Sequence, residues 1–150
     1  MDPKTLKFAD SHEWACAQGD IIVVGISDYA VQELHEITYV ELPSVGDSTV
    51  QAEPFGEIES VKTVAEVNAP CDGEIVEVNE AVVDDPEILA ADPYGDGWLI
   101  KIKSSDIEQL DDLMNHEQYK LYVEEESEQD EEEEEEEEEF EEDEGLDEEF

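Results

Sequence analysis

Arginine is absent from this chain, and six lysines stand against 48 Asp and Glu in 150 residues, for a formal net charge of -42. A nucleic-acid groove needs clustered cations to displace counterions from phosphates, so DNA and RNA binding are excluded. Anionic membrane surfaces repel the chain, and no apolar run approaches the ~20 residues of a spanning helix. Two cysteines, Cys16 and Cys71, are too few for a disulfide framework and lack the CxxC or His spacing of a zinc site; they read as packed thiols. The start, Met1-Asp2-Pro3-Lys4, has neither the basic-then-apolar layout of a secretory signal nor the Arg-rich layout of a transit peptide. We therefore expect a cytoplasmic protein.

Catalytic motifs are missing too. No GxSxG, HExxH, P-loop or GxGxxG occurs, and His12, His35 and His116 are the only histidines available to a nucleophile–base pair. Carboxylate pairs are so abundant that no single pair is informative. A hydrolase has nothing here to work with.

The charge is divided by position. Residues 124–150 hold 21 acids and no lysine, including an unbroken run of nine glutamates from Glu131 to Glu139. Such a segment repels itself and offers little to bury, so we expect a body over 1–123 and a disordered acidic tail over 124–150. Phe140, Leu146 and Phe150 interrupt the acid, either by chance or as a docking motif. The tail itself admits three roles: solubilising or salt-adaptive charge, steering toward basic partners, and weak multivalent cation binding.

The body reads as mainly β. Ile21–Ile26, Ile37–Leu42, Gly73–Val78 and Trp98–Lys103 are short and β-branched, with turn signals between them, which predicts a small antiparallel barrel or sandwich. Ser27-Asp28 can cap a helix through Leu34, and Asp84-Asp85-Pro86 supplies a cap with proline at the first helical position. Ser105-x-x-Glu108 forms a capping box before Ile107, Leu110, Leu113 and Met114, and a last helix is expected over Asn115–Tyr122. The segment Ile58–Val67 fits helix by spacing and strand by composition.

Lysine is informative because it is scarce. Lys4, Lys7, Lys101, Lys103 and Lys120 suit ordinary surface roles, whereas Lys62 stands alone between Lys7 and Lys101. Its context, Glu59-Ser60-Val61-Lys62 followed by Asn68-Ala69-Pro70 and Gly73 to Asn79, resembles the lipoyl-attachment region of glycine cleavage system H proteins. Ser11-His12-Glu13-Trp14, Val24 to Asp28, Tyr39 to Pro43 and, more loosely, Pro93 to Trp98 are similar to further blocks of that family, in the same order.

The resemblance implies a flattened antiparallel barrel or sandwich of the lipoyl-domain type, with short peripheral and C-terminal helices. Gly56–Ser60 and Thr63–Asn68 become hairpin arms, with Val61-Lys62 at the turn. It implies lipoic acid attached to Lys62 by a lipoate ligase or lipoyl transferase, in a monomeric carrier that catalyses nothing itself. The implied partners are the pyridoxal-phosphate-dependent P protein, which loads an aminomethyl group from glycine, the T protein, an aminomethyltransferase, and the L protein, a dihydrolipoyl dehydrogenase. Ser11, Glu13 and Glu66 match positions lining the cleft that holds the loaded arm, and Trp14 is expected in the core. Thr63 stands where Ala is usual, Ala65-Glu66 replaces the common Ser-Asp, and Tyr29 and His35 stand where many members have His and Gly. Two other readings stand beside this one: an H-like protein serving as a lipoate relay or another acyl or sulfur carrier, and an interaction scaffold acting through its tail.

Overall fold

The computed structural model describes residues 2–126, and the chain divides into compact units at Met1–Tyr119 and Lys120–Phe150. Most of the tail, with its three apolar residues, lies outside the described residues. Nine strands carry the first unit: β1 (Lys7–Phe8), β2 (Glu13–Gln18), β3 (Ile21–Ile26), β4 (Ile37–Glu41), β5 (Ser48–Thr49), β6 (Pro54–Ser60), β7 (Val64–Asn68), β8 (Gly73–Val78) and β9 (Ile100–Ser104). They form a six-stranded sheet in the order β1-β2-β3-β9-β8-β5 and a three-stranded sheet in the order β4-β6-β7, every pairing antiparallel. Among the described residues no strand pairing joins the two sheets, so the fold is a sandwich and not a closed barrel.

Alternation builds the core. Ile22, Val24 and Ile26 of β3 meet Ile75, Ile100 and Ile102 of the same sheet and Val40, Ile58 and Val67 of the other, all of them buried. On the opposite side of the large sheet, Trp14 is fully buried and donates through its indole N–H to the Pro93 carbonyl at 3.0 Å. Gly25 lies directly across from it, and a methyl added there would stand 2.5 Å from the ring. Cys71 is buried and Cys16 half-buried, as packed thiols should be.

The expected strands appear, with Trp98–Lys103 shifted to Ile100–Ser104. Helix α1 (Asp28–Leu34) starts where expected, its Ser27 hydroxyl accepting from the Ala30 N–H. Helix α2 (Glu80–Asp84) was not expected. Helix α3 (Glu87–Ala91) begins one residue after Pro86, which already has helical dihedrals, and the Asp85 carboxylate accepts from the Glu87 N–H at 3.3 Å.

The capping box at Ser105 is a correction. Residues Ile107–Asp112 form a 3-10 helix capped by Asp106, while the Ser105 hydroxyl and N–H both bond the Asp72 carbonyl. Met114 is drawn out by backbone pairing with Phe8, which prevents a longer helix. Residues 116–119 are helical at the end of the first unit, where Asn115 and Gln118 each accept from the other's backbone N–H. Tyr119 stacks on Phe8 with ring centroids 4.3 Å apart, and its hydroxyl meets Ser27 Oγ at 2.6 Å and His12 Nδ1 at 2.8 Å.

Candidate functional site: a lysine hairpin and a cleft with a buried carboxylate

The ambiguous segment is a hairpin. β6 and β7 pair in the register Glu57 to Glu66, Ile58 to Ala65 and Glu59 to Val64, leaving Val61, Lys62 and Thr63 between them. Ile58 and Val67 bury one face, and that burial fixes the register, since a one-residue slip would turn both outward. The turn has no Asn-Gly or Gly-x pair, and Ser60 supplies what it needs. The Ser60 hydroxyl accepts from the N–H groups of Lys62 (3.2 Å) and Thr63 (3.1 Å) and donates to the Thr63 carbonyl (3.2 Å). The Ser60 N–H bonds the same carbonyl at 2.8 Å, and the Val61 N–H reaches back to the Glu36 carbonyl at 3.0 Å. A side chain that mimics a backbone turn is an established role of serine.

Lys62 is exposed, beside Val61 at 65% exposure. Among the described residues no hydrogen bond or ion pair engages its ammonium, in contrast to Lys101, whose ammonium sits 3.4 Å from Glu77 and 4.8 Å from the centre of the Trp98 ring. The tip therefore presents a primary amine on a backbone that is already ordered. Such an amine fits a group attached through its nitrogen.

β7 starts at this tip and ends at a cleft of about 320 Å³. Its polar lining includes Asp10, Ser11 and Glu13, and its apolar lining includes Phe8, Leu113 and Met114. Glu13 is 1% exposed. One carboxylate oxygen accepts from the Ser11 hydroxyl and the other from the Asn68 N–H at 3.1 Å. Both donors favour the ionised form, but burial outweighs them and pushes the Glu13 carboxyl from 4.5 up to about 7. Near neutrality this group exchanges its proton readily, and an ammonium entering the cleft would hold it ionised. In a desolvated site such a charge-assisted pair is stronger than one in water.

Ser11 and Glu13 are thus brought together, but Glu66 is not with them. It is exposed and lines a separate hollow of about 330 Å³ with Glu41, Phe55 and Glu57. Pairing sets Glu41, Glu57 and Glu66 side by side across the three strands. Sequence reading passed over Gln51, Asp112 and Met114, which also line the cleft. No motif announces them, because they come from two segments about 60 residues apart in the chain.

A family profile described as glycine cleavage H-protein matches residues 6–126. The chain belongs to the glycine cleavage H-protein family. It is 50% identical to the glycine cleavage system H protein of Prochlorococcus marinus over 117 residues, covering 78% of this chain and 91% of that one. The H protein of a Cyanothece species is 47% identical over 122 residues, covering 81% and 95%. The crystal structure of an H protein from Mycobacterium marinum matches with a TM-score of 0.72 at 39% identity, covering 79% of this chain and 95% of that one. The H-protein match takes in both the hairpin and the cleft. No helix among the described residues is long and apolar enough to cross a membrane.

Proposed function

We propose that this chain is a lipoyl carrier of glycine cleavage whose attachment point is the ε-amine of Lys62, with residues 1–123 as the carrier body and 124–150 as an acidic appendage. Glycine cleavage H proteins carry lipoate covalently on a lysine and serve the P, T and L proteins. The observation that carries the assignment to Lys62 is the ordered turn beneath an exposed, unengaged amine. Once attached, the cofactor supplies the dithiol redox and group-carrying chemistry.

The chain's own residues do the rest. The hairpin projects Lys62 from the body, and acylation removes its charge. In the cleft Ser11 and Glu13 face the cargo's amine, with the Asn68 N–H orienting the carboxylate, while Glu66 stands outside. On this reading decarboxylation, one-carbon transfer and dithiol oxidation belong to the P, T and L partners, and the chain is the carrier subunit that serves them. A monomeric carrier in the cytoplasm completes the reading.

Intact mass of the protein from lipoate-sufficient cells tests the attachment, and reconstitution with the P, T and L proteins tests the role. The expected results are a lipoyl mass increment on Lys62 and complete loss of glycine decarboxylation in Lys62→Arg. An unmodified chain, or an active Lys62→Arg variant, would overturn the proposal.

A further inference from the structure

A hydrogen-bonded bridge ties together two segments that line the cleft. The Gln51 N–H donates to the Asp72 carboxylate at 2.7 Å, and the Asp72 N–H donates to the Gln109 side-chain oxygen at 2.7 Å. The Gln51 amide closes the ring by donating to the Gln109 carbonyl at 3.2 Å and to the Asp112 carboxylate at 3.4 Å. This joins the 3-10 helix Ile107–Asp112, whose end lines one wall, to residues 51–52, which line the other. Ala52, next to Gln51, sits at φ +67°, a left-handed conformation that non-glycine residues rarely hold. Its N–H is tied to the Ala69 carbonyl at 2.8 Å. His12, between Ser11 and Glu13, has φ +81°. Strained backbone in two segments beside one cleft, with a side-chain bridge between its lining residues Gln51 and Asp112, marks a geometry that its surroundings over-determine.

We propose that Gln51 is the positioning residue of this cleft: its side-chain amide, by tying Gln109 and Asp112 to the strap that its own N–H anchors on Asp72, sets the wall spacing that keeps water from Glu13 and so protects the amine cargo. This rests on the reading of the cleft as the cargo's resting place. Gln51 touches none of the reacting atoms and acts through the dryness of Glu13. A cargo aminomethyl group on sulfur that meets water is lost by hydrolysis, one water giving the free thiol, formaldehyde and ammonia. A loosened wall would admit that water.

Gln51→Met keeps the side-chain length and the backbone bond to Asp72 but removes the amide's two bonds to Gln109 and Asp112; Asp112→Ala, which removes the carboxylate that the amide reaches, serves if the first variant folds poorly. The first readout uses protein without lipoate: the Glu13 carboxyl titration followed by carbon NMR. Its midpoint should fall by one unit or more from about 7 toward 4.5. The second uses lipoylated, aminomethyl-loaded protein without T protein, where ammonia release should rise several-fold. An unmoved titration in a folded variant overturns the role of the bridge. Unchanged release in Gln51→Met beside faster release in Glu13→Gln also overturns it, while leaving the cleft reading intact. Unchanged release in Glu13→Gln removes the cleft reading itself, and the role of the bridge with it.

Discussion

At the hairpin tip three bonds to one hydroxyl, all within four residues of chain, hold the turn, whereas the cleft depends on partners far apart in sequence. Glu13 meets Asn68 across 55 residues, and Gln51 meets Asp72 across 21 and Gln109 across 58. The tip is exposed and locally encoded; the cleft keeps a buried carboxylate and exists only once both sheets have formed. A carrier needs this division. Under the proposed function, an enzyme that modifies Lys62 would reach a structured loop without disturbing the core, while Glu13, proposed to face the cargo, is withheld from solvent. The same strand, β7, joins the two, so placing one also places the other.

Substitutions along one arm separate these regions most strongly. Ile58→Ala, at a position 1% exposed, should cost about 3 kcal/mol in urea unfolding, by lost burial and a cavity. Val61→Ala, three residues on at the tip, should stay within about 0.5 kcal/mol. Equal costs would mean that the tip is packed after all.

Glu13→Gln should act in the opposite direction and only over a defined pH range. The Glu13 pKa is raised from 4.5 in the unfolded chain to about 7 in the folded one, so its contribution to stability is fully present below pH 4.5 and is lost as pH rises through 7. The neutral amide escapes that loss. Above pH 7 the variant should be more stable by up to about 3 kcal/mol, less whatever the lost acceptor contributes, with no advantage below pH 4.5. Thermal unfolding from pH 4 to 8 measures this, and parallel curves for the two proteins would remove the buried-acid account.

Smaller effects sharpen the picture. Ser60→Ala removes the hydroxyl from the turn and should cost about 1 kcal/mol, with faster hydrogen exchange at the Thr63 N–H and none at Asn68. Ala52→Gly relieves a positive φ and should gain up to about 1 kcal/mol, less the added freedom of the unfolded chain.

The locally encoded half was legible in advance. Four strand segments, the Ser27 cap and the lysine block can each be read from a few adjacent residues, and the hairpin followed from the family pattern. What escaped was long-range. β1 and β5 are two residues each and exist because longer strands recruit them. The stretch after Ser105 has an α-helical spacing, but Asp72 captures Ser105 and Phe8 captures Met114, and tertiary pairing overrides a local cap. Ser11 and Glu13 meet because they are two residues apart and turn to one side. Glu66, matched by position alone, falls in another hollow, because strand pairing sets it beside Glu57 and Glu41, two residues along β7 from the Asn68 that meets Glu13. The Gln51 bridge has no periodicity or motif and could emerge only from coordinates.

The pairing of Phe8 with Met114, reinforced by the Phe8–Tyr119 stack, brings the two ends of the first unit together without a covalent link. In topological terms that unit is a ring closed by non-covalent contacts. Its chain order is then one of many that could trace the same path. Linking Leu6 to Tyr119 and reopening the ring in the exposed Val45–Gly46 turn would keep every sheet pairing described here. The loop-closure entropy now offset by aromatic stacking would instead be removed by the link itself.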